Sequence, residues 1–510
     1  AYSITKAERD SLLKGASWTD RELAISLAPG ALKQLTDTNP IIKAPNVKGK
    51  DVTLAAGKGI GSNIALPAID AKLTPDKLTQ EQKVALAAAE RADLVLDNVN
   101  NVITVTQRKP INIETTGVLN AVAGDYAYLG SEKDVRLDQI SAGTDVRLKV
   151  GGSILNGAAG NANIIGQNVI LEAADGTIGT ETAFLQLNQD GTLTARAAKD
   201  IFLRKDGDIK LDTLYSLENI SLDTDGSIQS DYDNDKVSIM SKSLKLKAKQ
   251  VGSSAKALGI SLADEGALDA EAENDIHINN SSTKLNISQA KTTAGNIDIS
   301  AGQDMSANNI QTTAGSIKLN SAANLDAQNI KAPGAINLIS GKDMVASTVE
   351  SAIKGVELTA GRNLTVDAVK AAAGNIAVKA GANILNGAGD MADINLTAHN
   401  ISLTAETGGI GQTDKHVTVA AAGTVTAEAQ NDINITGSGN LVADKMSNRS
   451  GTINLAVING SSLQIAETSV ADGMNIRSDN VVLDHVVHTG NSMLEMDISG
   501  SSKPMAEDVT

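Results

Sequence analysis

The sequence contains no cysteine in its 510 residues. This absence excludes a disulfide-stapled scaffold, a catalytic thiol and a zinc site built from thiolates. A chain without thiols is also suited to crossing a membrane unfolded and folding outside the cell. The missing cysteine therefore narrows the chemistry of the protein, although it does not by itself assign a compartment.

Aromatic residues are nearly as scarce. They make up 2% of the chain, with one Trp and two Phe, whereas hydrophobic residues make up 41%. The apolar content is therefore almost entirely Ala, Val, Ile, Leu and Met. An ordinary globular core contains more Phe, Tyr and Trp, so this composition favours a narrow interior lined by short stacked strands.

Basic clusters and long apolar runs are also absent. The chain has 44 Lys and Arg against 60 Asp and Glu, a net charge of -16, which argues against binding to nucleic acid or to an anionic membrane surface. No apolar run approaches the ~18 residues of a membrane-spanning helix, and the first residues lack the regions of a signal peptide. Because Glu507 to Thr510 resemble the start of another strand, we expect the chain to be part of a longer protein.

What the sequence does contain is a repeat of 19 or 20 residues, clearest between about residues 290 and 390. Apolar residues two positions apart lie on the same face of a strand. The predicted core rows are Ile297, Ile317, Ile336, Val356 and Ile376; Ile299, Leu319, Leu338, Leu358 and Val378; and Met305, Leu325, Met344, Leu364 and Ile384. A further row contains Ile310, Ile330, Val349 and Val369, so the pattern predicts about three short strands per repeat.

Turn-forming residues mark the corners of each repeat. Gly and Asx tolerate tight corners and satisfy local backbone groups. The predicted corner residues are Gly295, Gly315, Gly334, Gly355 and Gly374, which open the units, and Asp304, Asn324, Asp343, Asn363 and Asn383, which precede the Met305 row.

A single repeat buries too little apolar surface to offset the entropy of ordering its backbone. Stacked repeats would place equivalent residues over one another at the ~4.8 Å strand spacing and complete every backbone ladder. Crossovers between parallel strands are right-handed. The sequence therefore predicts an all-β, right-handed parallel β-helix, a solenoid with about 20 residues per coil.

Longer stretches are duplicated as well. Ile154 to Ala158 reappear as Ile384 to Ala388, and we interpret about residues 152-211 and 382-443 as copies. A second signature, apolar-x-Leu-x-Ala followed by Gly-x-Ile-Gly, occurs at 52–61, 169–179 and 401–411, with a degraded copy at 244–252. Copying of this kind lengthens a rod, whereas an active site confined to one place gains nothing from it.

Two segments depart from the strand pattern, one before the predicted rod of residues 51-510 and one within it. Residues 1-50 include the capping box Thr19 to Glu22, which predicts a helical cap or a junction with another rod segment. A second box, Thr79 to Gln82, lies in an Ala-rich stretch at about 72-92 and predicts an inserted helix. This insertion would either buttress the coils or bind a partner.

The sequence contains only weak motifs for metal binding or catalysis. Asp231, Asp233 and Asp235 resemble the opening of a calcium loop, but Lys236 and Lys242 stand where an EF-hand needs Gly and its last ligand. A solvated corner loop is therefore the alternative. The five histidines form no metal-binding motif.

The aromatic residues of the first half would either fill the core and edges or form a strip that contacts sugars. The aromatic residues in question are Tyr126, Tyr128, Phe184, Phe202 and Tyr215.

The motif Gly-x-Ile-x-Leu-x-Ala followed by Asp or Asn and an apolar residue resembles the repeat region of filamentous-haemagglutinin-type exoproteins, including leukotoxin-like filamentous adhesins. It is carried by Gly295 to Met305, Gly315 to Leu325 and Gly355 to Leu364, and extends more irregularly over about residues 95 to 490. The resemblance implies export through an outer-membrane transporter, as in two-partner secretion, and display at the bacterial surface. It also implies a receptor on host cells, other bacteria or matrix.

These observations lead to one main hypothesis and two alternatives. We expect a structural and adhesive rod segment of a secreted, cell-surface adhesin, with no catalytic residues, metal or cofactor. The first alternative is a spacer stalk that presents a distal toxin or receptor-binding tip. The second is a polysaccharide-active β-helix enzyme, which would need a groove with two close carboxylates.

Overall fold

The computed structural model describes residues 45–506 apart from 71–93, 100–101, 159, 232–236, 282, 390–392, 460–461, 491–494 and 500–504. These residues form 48 β-strands and contain no helix. The helical segments predicted before residue 37 and at about 72–92 lie outside the described residues. Within the predicted cap or junction of residues 1-50, β1 (Val47–Gly49) is a strand.

The chain divides into two compact units, Ala1–Gly266 with His277–Asn279, and Ala267–Ile276 with Asn280–Thr510. The strands that precede residue 266 are β1, β2 (Val52–Ala56), β3 (Ser62–Asp70), β4 (Leu94–Val99), β5 (Val102–Lys109), β6 (Ile111–Thr115), β7 (Val118–Ala123), β8 (Ala127–Ser131), β9 (Val135–Ala142), β10 (Asp145–Val150), β11 (Ile154–Asn156), β12 (Ile164–Gly166), β13 (Asn168–Ala173), β14 (Leu185–Gln189), β15 (Thr192–Ala197), β16 (Ile201–Lys205), β17 (Ile209–Ser216), β18 (Asn219–Thr224), β19 (Ser227–Ser230), β20 (Ile239–Ser241), β21 (Ser243–Ala248), β22 (Gln250–Val251) and β23 (Leu258–Leu262).

The strands that follow residue 266 are β24 (Leu268–Ala272), β25 (Ile276–Asn280), β26 (Leu285–Thr292), β27 (Ile297–Ala301), β28 (Met305–Thr312), β29 (Ile317–Ser321), β30 (Leu325–Ala332), β31 (Ile336–Ser340), β32 (Met344–Ser351), β33 (Val356–Ala360), β34 (Leu364–Ala371), β35 (Ile376–Ala380), β36 (Ile384–Asn386), β37 (Leu396–Ala398), β38 (Ile401–Ala405), β39 (Val417–Ala421), β40 (Val425–Ala429), β41 (Ile433–Ser438), β42 (Leu441–Asn448), β43 (Thr452–Ile458), β44 (Ser462–Val470), β45 (Gly473–Arg477), β46 (Asn480–His488), β47 (Glu495–Ser499) and β48 (Met505–Ala506).

Both units are built from coils that alternate between two parallel sheets. In the first unit β8, β10, β13, β15 and β17 are neighbours in one sheet, and β14, β16, β18 and β21 are neighbours in the other. In the second unit the same alternation places β27, β29, β31, β33 and β35 in one sheet and β26, β28, β30, β32 and β34 in the other. The fold is therefore a parallel β-solenoid of about 18 turns, with coils of about 20 residues, which confirms the predicted fold class.

The prediction of three short strands per repeat is wrong. Each regular coil of the second unit has one five-residue strand, such as β27, and one eight-residue strand, such as β28. Within the longer strand the spacing of buried residues widens from two positions to three, between Ala307 and Ile310. Backbone pairing continues from Asn309 onward, so the two predicted strands are one.

The apolar rows lie in register. Ile297 pairs with Ile317, Ile317 with Ile336, and the same row continues through Val356 to Ile376. The rows that start at Ile299 and at Met305 are aligned in the same way. Every member of these three rows is at most 2% exposed, so the interior consists of continuous aliphatic columns.

The predicted Asx corners form a ladder of side chains between coils. Asn324 donates hydrogen bonds from its backbone N and its Nδ2 to Asp304 Oδ1, at 3.0 and 2.9 Å. Its own Oδ1 accepts from the backbone N of Asp343 at 3.2 Å. Asn363 and Asn383 continue the ladder with the same geometry. Each side chain thus satisfies a corner N–H of the next coil.

The corner glycines are required by close approach between coils. A Cβ at Gly315 would lie 2.0 Å from the carbonyl oxygen of Gly295, and one at Gly334 would lie 2.4 Å from that of Gly315. Gly374 would meet the oxygen of Lys354 at 2.1 Å, and Gly355 that of Asn375 at 2.8 Å. Any larger residue would therefore push adjacent coils apart at the corner.

One departure from the solenoid was not predicted. Strands β3, β5 and β4 form a three-stranded antiparallel sheet, in that order. The signal in the sequence was the enrichment of 94–99 and 102–109 in Leu, Val, Ile and Thr, which also fits solenoid strands. Such enrichment favours a strand but does not specify its partner or its direction.

Replacing a corner glycine tests this packing. At Gly361 a Cβ would lie 2.2 Å from the carbonyl oxygen of Gly341, so Gly361→Ala is expected to lower the free energy of unfolding by about 1–3 kcal/mol. Gly389→Ala is the control, because no atom of a described residue other than its chain neighbours lies within 4 Å of its Cβ position. Urea denaturation followed by circular dichroism should show a lower midpoint for Gly361→Ala alone, and equal midpoints would contradict the packing argument.

Candidate functional site

One turn recurs where the chain leaves the core. The Gly-x-Ile-Gly signatures end at Gly61, Gly179 and Gly411, and the degraded copy ends at Gly252. Their φ angles are 88, 69, 66 and 61° respectively. This left-handed region is readily accessible only to glycine. The residue before each glycine is a buried Ile or Val, so the turn begins directly from the core.

A short turn closes three of the four copies. Two backbone hydrogen bonds of 2.9 to 3.0 Å join the ends of each turn, namely Thr180 to Ala183, Ser253 to Lys256 and Gln412 to Lys415. In the copy at Gly61, Ser62 pairs instead with Lys109. Strands β3, β4 and β5, which form the antiparallel sheet, come between these two residues in the sequence. In this copy the sheet therefore takes the place of the short turn.

The backbone of the turn is constant while a nearby side chain varies. A Cβ at Gly179, Gly252 or Gly411 would lie 2.3 to 2.4 Å from the carbonyl oxygen of one residue in an adjacent coil. That residue is Phe202, His277 or Asn434, respectively. The recurrent turn thus presents different chemistry on one backbone frame.

The first unit has aromatic chemistry at this place. The rings of Phe184 and Phe202 meet edge to face with centroids 5.6 Å apart, and both side chains are half-buried. The Arg204 guanidinium lies 5.6 Å from the centre of the Phe184 ring and pairs with Asp223. This small cluster combines an aromatic pair with a cation.

The described residues of the first unit contain a second ring pair. Tyr126 and Tyr128 stack on each other with ring centres 4.6 Å apart. Tyr128 and Tyr215 are almost fully buried. The two phenylalanines and the two stacked tyrosines therefore form separate ring pairs.

In the second unit the same turn borders a polar groove. Its volume is about 440 Å³, within the range of small-molecule sites. The lining residues are Asn383, Gly409, Gly411, Gln412, Thr413, Asp414, Asn431, Asp432 and Asn434. Every side chain among them is an amide, a carboxylate or a hydroxyl. We call this site the Gly411 groove.

Several walls of the Gly411 groove are held by other coils. Asn434 is 1% exposed, and its Oδ1 accepts a 2.7 Å hydrogen bond from Asn454 Nδ2. Asp432 Oδ1 accepts from the backbone N of Thr452 at 2.7 Å. Asn383 Oδ1 accepts from Gly409 N at 3.0 Å. These side chains are fixed before any ligand arrives.

A buried asparagine pair supports the strand that follows the turn. Asn395 is fully buried, and its Nδ2 donates to Asn386 Oδ1 at 2.8 Å while its Oδ1 accepts from Thr418 N at 2.8 Å. Asn386 Nδ2 donates to the backbone oxygen of His416 at 2.6 Å. In the first unit the pair Asn156 and Asn163 makes the equivalent bonds. Both duplicated stretches thus support this corner with the same polar network.

His416 lies just beyond the turn and is half-buried. Its Nδ1 lies 3.0 Å from Thr436 Oγ1. Burial lowers the pKa of His416 below its ordinary value of 6.5, although hydrogen bonds to the backbone of Ile435 and Thr413 oppose the shift. The imidazole is therefore neutral near pH 7.

The calcium hypothesis gains nothing from the residues that the structure describes. Asp231 Oδ1 lies 2.5 Å from Lys210 Nζ, so a cation already neighbours this carboxylate. Asp233 and Asp235 lie outside the described residues. Among the described part of the chain, no three His, Cys, Asp or Glu side chains are grouped so as to hold a metal ion.

Sequence reasoning missed two buried polar arrangements in the first unit. Arg147, 2% exposed, pairs with Glu172 across neighbouring strands at 3.0 Å. Asp212 lies at a register shift between β15 and β17 and accepts a 2.8 Å bond from Thr194 Oγ1. Burial raises the pKa of Asp212. Outward strand positions are normally solvated, so the sequence pattern alone gave no signal for this burial.

Comparison with known proteins gives no relative for this chain: no family model, no curated protein and no solved structure matches it. Across the residues described above, no helix has the length and apolarity needed to span a membrane.

The state of His416 predicts a pH dependence of stability. The unfolded chain takes up a proton near pH ~6.5, but folding depresses the pKa of His416, so the unfolded state binds more protons just below that pH. The free energy of unfolding should therefore fall as pH drops below 6.5, and His416→Gln should weaken this dependence. Urea midpoints measured on both sides of pH 6.5 test it, and identical pH profiles for the two chains would refute the assignment.

Proposed function

We propose that this chain is a structural and adhesive segment of a secreted filamentous adhesin displayed at a bacterial cell surface. The observation that carries the proposal is the in-register stack of coils in the second unit, where each regular coil repeats the strand geometry of the one before it. An adhesive segment needs many outward side chains at fixed spacing, and this stack supplies them. Each regular coil also has its own strand pairing and corner hydrogen bonds, so the solenoid can be lengthened by adding coils of the same kind.

Two properties of the sequence support export. The absence of cysteine removes premature disulfides as an obstacle to passing an outer-membrane transporter unfolded. Parallel coils that depend on their neighbours rather than on distant parts of the chain suit folding that proceeds coil by coil after export. We therefore propose an outer-membrane secretion transporter as one partner and a receptor on host cells, other bacteria or matrix as the other.

The spacer alternative uses the same architecture without a receptor. A spacer would tolerate any outward side chain, because only its length would matter. The Gly411 groove favours the adhesive version, since its walls combine preorganised polar groups with an opening to solvent. It also contains two carboxylates, Asp414 and Asp432, which keep a polysaccharide-active enzyme as the second candidate.

An attachment assay tests the proposal. Beads coated with the purified chain should adhere to host cells, bacteria or matrix, and soluble chain should compete. The matched control carries Ile317→Asp and Ile336→Asp, which bury charges in the core row and break the stack. Attachment equal to that of the control would contradict the adhesive role and leave a spacer.

The enzyme candidate is separated by product analysis. Under the adhesive proposal, incubation with a panel of polysaccharides yields no new reducing ends and no unsaturated products. Product formation that is lost in Asp414→Asn would replace the adhesive proposal with catalysis in the Gly411 groove.

A further inference from the structure

We propose that the Gly411 groove is a binding site for a neutral saccharide. This inference rests on the proposed function for its setting, because it names the class of ligand that an adhesive segment would contact. The class of ligand is inferred from the groove itself, namely from the shape of the cavity, the polar groups that line it and the absence of cationic side chains from its lining.

The rim of the groove offers uncommitted polar groups. Gln412, Thr413 and Asp414 are exposed, and their side chains make no hydrogen bond to another described residue. Their positions are nevertheless fixed, since the turn is closed by the two backbone bonds between Gln412 and Lys415. Sugar hydroxyls both donate and accept, and this rim supplies an amide, a hydroxyl and a carboxylate to match them.

Other lining residues of the groove are already ordered. Asn434 is held by Asn454, Asp432 by Thr452, and Asn431 Oδ1 accepts a 3.0 Å bond from Ser450 Oγ. Because these groups lose little freedom when a ligand binds, the entropic cost falls mainly on the saccharide. Ordered lining residues together with an uncommitted rim are expected of a preformed polar site.

The negative charge of the lining residues disfavours anionic ligands. None of the nine lining residues is Lys or Arg, and two are Asp, so phosphate, sulfate and acidic sugars would meet uncompensated negative charge. A bound calcium ion needs about six to eight oxygen ligands, whereas the described residues group no three acidic or histidine side chains. A neutral polyhydroxyl ligand satisfies the amides and carboxylates without adding charge.

The duplicated turn of the first unit provides a built-in comparison. Thr180, Glu181 and Thr182 occupy the positions of Gln412, Thr413 and Asp414, and Phe202 occupies that of Asn434. The backbone frame is the same, with a positive φ at Gly179. A variant at this turn therefore disturbs an equivalent loop without touching the groove.

The experiment measures binding of the full chain to a panel of neutral oligosaccharides of hexoses and N-acetylhexosamines, by glycan array followed by calorimetry on the best probe. The double variant Gln412→Ala with Asp414→Ala should weaken that probe at least about fivefold, because two hydrogen bonds are lost. Thr413→Trp should abolish binding by filling the opening. The control, Thr180→Ala with Thr182→Ala, should bind as the unmodified chain does.

Several results would overturn the proposal. One is that no neutral probe binds the unmodified chain more tightly than it binds the Thr413→Trp variant. Another is that the control pair Thr180→Ala with Thr182→Ala weakens binding as much as the groove variants do. A third is that binding is lost when calcium is chelated. Circular dichroism and urea midpoints equal to those of the unmodified chain guard against misfolding of the variants. Saccharide binding with no attachment of coated beads would sink the adhesive role and retain the site, whereas attachment insensitive to the groove variants would sink the site and retain the role.

Discussion

The whole structure depends on parallel strands stacking in register from coil to coil. That constraint determines which residue types each position in a coil accepts. Columns of Ile, Leu, Val and Met can continue only if equivalent residues lie directly over one another, as Ile297, Ile317 and Ile336 do. The corners must be narrow enough for carbonyl oxygens to approach where a Cβ would otherwise stand. Scarcity of aromatic residues follows, because wide rings do not fit repeatedly into a thin aliphatic interior.

The same constraint determines where variation is tolerated. Strand and corner positions are bound to the coils on both sides, but the turns after Gly61, Gly179, Gly252 and Gly411 leave the regular strand pattern. One of them carries a three-stranded sheet, another lies beside an aromatic pair, and the last borders a polar groove. Function in a solenoid is expected at such turns, because there a change of side chain does not disturb the repeat.

The fold was predictable because period and register are written in the sequence. Recurrence of Ile and Leu every 19 or 20 residues specified the rows, and Asp304 with Asn324 marked the corner ladder. The Gly411 groove was not predictable, since it is assembled from Asn383, the turn and Asn431 to Asn434, which are distant from one another in the sequence. The Arg147 to Glu172 pair was also missed, because alternation assigns outward positions to solvent and cannot show what covers them.

The most direct test of in-register stacking uses the absence of cysteine. Spin labels at Glu357→Cys and Ala377→Cys would occupy exposed, directly paired positions in adjacent strands, which lie one strand spacing, ~4.8 Å, apart at the backbone. Labels at Lys318→Cys and Glu357→Cys lie two coils apart. In-register stacking predicts strong dipolar broadening for the first pair and clearly weaker broadening for the second. Equal broadening in the two pairs, or none in either, would contradict the stacked solenoid.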